Sequence, residues 1–324
     1  TLATLSARVT VYSGSVGGLG GTWSSGNLLN TVAVTIPGTQ QPNTKWALNV
    51  VTTLEGGFNG CSALIKTPKY LPTTVTNLKN TFNGATVFND ADITNWNTVA
   101  VTTMYGTFQD AITFNRLIQT NNTNYWNTVS VTDMSNMFNG ASAFNQNIGN
   151  WNTASVVSMT SLFQGAANFN QTINTNLDSW NVTKVTTMNN MFNGASVFNN
   201  GTTLVNLENW NTAKVTTMEG MFQNALVFNK SIQKWKTSKV TNMKNMFSGA
   251  KDFNRQVSPN AGDPLATWST ANVTTMEGMF NGATVFDQDI GSWDTAKVTT
   301  MNSMFKNASG FDQNISTDIN NWIT

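Results

Sequence analysis

Eight tryptophans set the frame of this chain. Trp96, Trp126, Trp151, Trp180, Trp210, Trp235, Trp268 and Trp293 are each followed twelve residues later by Phe (Phe108, Phe138, Phe163, Phe192, Phe222, Phe247, Phe280, Phe305). Six residues further on a second Phe follows every time (Phe114, Phe144, Phe169, Phe198, Phe228, Phe253, Phe286, Phe311). Two degenerate units come first, with Trp46 and Phe58 and with Tyr70, Phe82 and Phe88, and a broken unit begins at Trp322. Self-similarity at a period of roughly 25 residues restricts the fold to a stack of about ten like units. No unit folds alone, because each must bury its faces against two neighbours. The gap from the second Phe to the next Trp varies, from seven residues (Phe144 to Trp151) to fifteen (Phe253 to Trp268), so insertions fall at one corner.

Inside the unit, Val stands five residues after Trp (Val215) and Met three residues later (Met218). Met218, Met221, Phe222, Ala225 and Phe228 are spaced three, one, three and three apart, which predicts one apolar face of a short helix with Thr217 as its N-cap. The Ile-x-x-Trp and Lys-Val-Thr stretches predict short strands. The expected fold is an α/β repeat solenoid, each unit running strand, turn, short helix, corner. The Asn after the second Phe (Asn115, Asn145, Asn170, Asn199, Asn229, Asn254) is expected to stack as an internal ladder of amides bonded to backbone.

Composition narrows the chemistry. Charged residues make up 10%, there is no His, and the net charge of +1 gives no general attraction to nucleic acid. No apolar stretch approaches the ~18 residues that span a bilayer. All 14 Met residues fall in the repeat frame, as a core stripe rather than a metal site. Cys61, the single cysteine, takes the slot held elsewhere by Ala85, Ala111 or Ala225, and no disulfide framework is possible. Asp90 with Asp92 and Asp287 with Asp289 lack the further ligands of a calcium loop and read as solvated corner residues. No cofactor or metal is expected, and an enzyme is disfavoured. Eight glycosylation sequons, at Asn121, Asn170, Asn181, Asn200, Asn229, Asn272, Asn307 and Asn314, are what so Asn- and Thr-rich a chain yields by composition.

The pattern W-N-T-x-x-V-T-x-M-x-x-M-F-x-G-A-x-x-F-N, matched closely by residues 210–229 (WNTAKVTTMEGMFQNALVFN), resembles the DUF285 or BspA-like repeat, a leucine-rich-repeat relative. The stretch Gly57-Phe58-Asn59-Gly60-Cys61-Ser62-Ala63-Leu64 resembles the parent BspA-type repeat, whose units carry a Phe-x-x-Cys-x-x-Leu core. The resemblance implies a right-handed leucine-rich-repeat-like coil. It also implies an adhesive or structural protein of a microbial surface with no known catalytic residue.

Two parts are therefore expected: a β-rich cap or assembly segment over residues 1–45 and a solenoid over 46–324. The chain begins at Thr1 with no initiator Met and no apolar leader, as either a trimmed mature product or an engineered piece would. The leading functional expectation is a non-enzymatic extracellular or cell-surface protein that self-assembles head to tail into a fibre or layer. Strand-forming Val9, Val11, Val32, Val34 and Ile36 of one copy would cover the coil near Trp322 and Ile323 of the next. Residues 1–79 carry five cations and one acid (net +4), and residues 256–324 carry two cations and seven acids (net −5), which suits that contact. The alternative is an adhesin for a glycan or protein. For it, Lys230, Lys234, Lys236, Lys239, Lys244, Lys251 and Arg255, against one acid, Asp252, form a candidate patch.

Overall fold

The computed structural model describes residues 10–11, 23–24, 51–118, 126–173, 179–201, 207–257 and 268–315. Ten positions pair in parallel, each with the next: Thr53, Asn77, Thr103, Asp133, Ser158, Thr187, Thr217, Asn242, Thr275 and Thr300. The last eight lie seven residues after a unit's Trp. The aromatic frame is thus the register of ten stacked coils.

The coil of Trp210 shows how they form. Within it, the N–H groups of Val215, Met221, Gln223, Ala225 and Phe228 each donate to the carbonyl three residues back, at 2.9–3.1 Å. Between these turns, the N–H groups of Met218, Gly220, Phe222 and Asn224 leave the coil for the carbonyls of Asn242, Lys244, Met246 and Ser248, at 2.7–3.0 Å. Thr216 N–H reaches the other way, to Thr186 O at 2.9 Å.

The helix expected over Met218–Phe228 does not form, and no α-helix occurs among the described residues. Successive three-residue turns have the same period as a helical face, so the apolar spacing fits both. The backbone decides: Gly220 (φ 58°) and Asn224 (φ 56°) are left-handed, and the same two positions are left-handed in neighbouring coils (Asn190, Gly194, Asn245, Gly249). A right-handed helix cannot contain them, whereas a turn with φ > 0 at its third position favours Gly or Asn there. Thr217 is accordingly a pairing residue and not a cap. The expected strands shrink to single paired residues. The only extended pair among the described residues is β1 (Thr10–Val11) with β2 (Trp23–Ser24), antiparallel. Short 3₁₀ turns, Ala91–Asn95 and Leu207–Asn209, lead into Trp96 and Trp210.

The core is three aromatic columns. Within a coil the two Phe rings stack face to face at 3.8–4.3 Å, as Phe222 does on Phe228. Between coils the first Phe column repeats at 5.2–5.8 Å and the second at 5.8–6.0 Å. Hydrogen-bonded backbones lie only about 4.8 Å apart. The rings of successive coils are thus spaced somewhat wider than hydrogen-bonded backbones.

Most buried polar side chains are consumed by the same stacking, although Trp268 Nε1 and Thr270 Oγ1 have no partner among the described residues. Trp126, Trp151, Trp180 and Trp235 donate Nε1–H to the carbonyls of Ile93, Ile118, Ile148 and Leu207 at 2.7–2.8 Å. Thr98, Thr128, Thr153, Thr212 and Thr237, all buried, donate Oγ1–H to the next coil. The expected asparagine ladder is present and longer than foreseen. Each Oδ1 accepts the N–H of its counterpart one coil on, from Asn89 through Asn115, Asn145, Asn170, Asn199, Asn229 and Asn254 to Asp287 and Asp312, at 2.9–3.1 Å.

Candidate interaction surfaces

Side chains that carry chemistry elsewhere are structural here. Thirteen of the methionines, Met104 to Met279 and Met304, are buried, and Met301 packs half-buried against the core. Cys61 is half-buried in the alanine column, where burial pushes its thiol pKa up and away from thiolate character. Asp90 is not the solvated corner residue expected from its sequence. It is 2% exposed and holds Thr67 N–H at 2.8 Å, Asp92 N–H at 3.2 Å and the Lys66 ammonium at 2.9 Å. The hydrogen bond to Asp90 raises the Lys66 pKa, so the amine stays charged. Asp289 Oδ1 closes a turn on Gly291 N–H, apart from Asp287 in the asparagine ladder. Among the described residues no three His, Cys, Asp or Glu side chains gather as a metal site.

The seven cations of residues 230–255 lie along one complete circuit of a coil. Lys230 and Arg255 each follow a ladder asparagine, Asn229 and Asn254, and so occupy equivalent positions one coil apart. That pairing, together with burial, lowers the Lys230 pKa, burial being the larger cause. Lys234 reaches back to Glu208 at 3.3 Å and Lys244 forward to Glu277 at 3.0 Å. Lys236, Lys239 and Lys251 are exposed at separate points of the circuit. Closeness in sequence had made these residues read as one patch.

The sequons divide sharply. Asn170 and Asn229 are ladder members and Asn200 is fully buried, so their amides are committed. Asn272, Asn307 and Asn314 are exposed, Asn181 is half-buried, and Asn121 lies outside the described residues.

The ladder is bounded, among the described residues, by the coils of Thr53 and Thr300. On the last described coil, the N–H groups of Met301, Ser303, Phe305 and Asn307 stand where Met276, Gly278, Phe280 and Gly282 donate to the next coil, and among the described residues they have no acceptor. On the first, the carbonyls of Thr53, Glu55, Gly57 and Asn59 stand where those of Asn77, Lys79, Thr81 and Asn83 accept, and among the described residues they have no donor. Of the expected assembly residues, Val11 belongs to β1. Val9, Val32, Val34, Ile36, Trp322 and Ile323 lie outside the described residues.

A stack of coils built on this repeat defines a repeat protein, and the comparisons identify which kind. The family model described as "Mycoplasma protein of unknown function, DUF285" matches residues 29–125, 117–207, 171–263 and 196–315. The chain belongs to that family. No curated protein matches it. No helix among the described residues is long and apolar enough to cross a membrane.

Proposed function

We propose that this chain is a non-enzymatic structural protein of the cell surface or extracellular space, a leucine-rich-repeat-like solenoid whose copies join head to tail into a fibre or layer. The observation that carries this is the polarity of the ladder, since at all nine junctions among the described residues four N–H groups of one coil donate to the next. A contact between the unlike faces of such a stack propagates instead of closing. The opposite net charges of residues 1–79 and 256–324 support the same polarity. Negative-stain microscopy and sizing of the purified chain over a range of concentrations test it. Regular polymers are expected, and discrete monomers at every concentration would overturn it.

An adhesin holding a glycan or protein is the second reading. It is supported by paired outward hydroxyls along the ladder, such as Thr216 with Thr217 and Thr274 with Thr275, none of them buried. Glycan-array binding by a monomeric protein would favour it.

A further inference from the structure

We infer that a file of lysines on the outer face of the stack, Lys184, Lys214, Lys239 and Lys297, binds an extended anionic polysaccharide laid along the stack. The inference rests on the adhesin reading and supplies the ligand class for it. No contact between copies of the chain enters it.

Each of the four stands four residues after its coil's Trp, and Asn272 holds the same place in the coil between Lys239 and Lys297. All five are exposed. Two residues on come Thr186, Thr216, Thr241, Thr274 and Thr299, none of them buried. Each of these threonines donates its N–H to the coil before at 2.8–2.9 Å, which keeps the file in register. At about 4.8 Å per coil the line from Lys184 to Lys297 runs roughly 19 Å.

The fold does not require cations there. The same position holds Ala100, Ser130 and Ser155 in earlier coils, and like charges stacked on one face are destabilising. Five residues after this position the chain does the opposite and alternates sign, with Lys79 on Glu55 at 3.3 Å and Lys244 on Glu277 at 3.0 Å. Among the described residues none of the four lysines pairs with a carboxylate, and Lys297 donates to the Asn272 side chain. Glu219 is held by Asn242 Nδ2–H at 2.9 Å, and Asp294 accepts Ala296 N–H at 3.0 Å.

The threonine row beside the file selects the polymer. Each hydroxyl gives its proton to a carbonyl of the coil before, at 3.0–3.3 Å, so its lone pairs remain outward as acceptors. Sugar rings bring hydroxyl donors between their charges, and a DNA backbone brings none. No aromatic residue stands within these Lys-x-Thr stretches for bases to stack on. A single file of charges also matches a chain better than the plane of a bilayer.

The test is binding of the full chain to dextran sulfate and to alginate, beside neutral dextran, duplex DNA and phosphatidylserine vesicles. Both anionic polysaccharides should bind at low salt and be released at high salt. Lys184→Ser, Lys214→Ser and Lys239→Ser together are expected to weaken binding about tenfold, with melting unchanged or raised. Lys69→Ser, Lys251→Ser and Lys306→Ser together remove the same charge and should leave binding nearly unchanged. Arg at positions 184, 214 and 239 should preserve it. Asn272→Lys, which fills the gap in the file, should tighten it by up to about fivefold. Equal losses from the two triple Ser variants, or tighter binding to DNA or vesicles than to either anionic polysaccharide, would overturn the site. Binding to neutral dextran that ignores every substitution would overturn the site and leave an adhesin standing. A chain that binds no polysaccharide would overturn the site and the glycan-holding reading together.

Discussion

The side-chain oxygen of Asn190 fills the space beside Gly220: a Cβ built on that glycine would lie 2.2 Å from it. The same relation joins Asn80 to Gly106, Asp110 to Gly140, Asn224 to Gly249 and Asn245 to Gly278. Ser161 beside Asn136 departs from it, and nothing in the structure explains why. Where one coil fills its left-handed position with an amide, the next generally leaves it bare. Gly220→Ala is expected to cost about 1–2 kcal/mol from the left-handed backbone alone, with a further loss from the contact. Adding Asn190→Gly should recover only the contact part. Denaturant titration of the three proteins checks this, and an unchanged midpoint for Gly220→Ala would contradict it.

The asparagine ladder predicts an asymmetry between two substitutions at one site. Asn229→Ala strands the N–H of Asn254, which the Asn229 oxygen accepts at 3.1 Å, at about 1–3 kcal/mol. Asn229→Asp keeps the acceptor and should cost far less. Equal destabilisation by both would show that side-chain volume, not the hydrogen bond, is what matters there.

Asp287 already plays the acceptor's part with a charge. Its carboxylate accepts Asp312 N–H at 3.0 Å and Gln313 Nε2–H at 2.8 Å, and these bonds, that of Asp312 first, hold its pKa below the usual carboxylate value. An acid depressed in the folded state contributes stability above its unfolded pKa and loses it as pH falls through the folded one. Melting temperature should therefore drop on acidification below the ordinary carboxylate range, and Asp287→Asn should make that drop shallower. Superimposable pH profiles for the two proteins would count against the assignment.

Position along the stack should grade the cost of identical core truncations. Phe222 is fully buried between Phe192 at 5.5 Å and Phe247 at 5.8 Å, so Phe222→Ala is expected to cost about 3–5 kcal/mol. Among the described residues Phe305 has one such neighbour in an adjacent coil, Phe280 at 5.7 Å, and it is half-buried, so Phe305→Ala should cost clearly less. Comparable losses in chemical denaturation would mean that the last coil is packed like the interior ones.

The architecture was legible wherever a side chain repeats because it stacks on its own copy. Trp210 and Phe222 revealed the register, and Asn229 revealed the ladder, since both depend on one column position. Local conformation was not legible, because Met218, Met221, Phe222 and Ala225 satisfy a three-residue turn period and a helix face equally well. The deciding residues, Gly220 and Asn224, look like ordinary variable polar positions. For the candidate surfaces, the run from Lys230 to Arg255 spans one circuit of a coil, so closeness in sequence alone does not set its cations side by side.

The direction of the ladder has a mechanical side. Bonds between coils run along the stack, so a pull on the two ends loads every bond of a junction at once, and each junction carries the same load. When one yields, it releases a single loop of chain, between 24 and 33 residues from one equivalent position to the next. At about 3.3–3.6 Å per residue that loop supplies roughly 80–120 Å of slack while the remaining coils stay closed. Built this way, the chain lengthens under strain in discrete, near-equal steps and absorbs a tug several times over before it is fully drawn out.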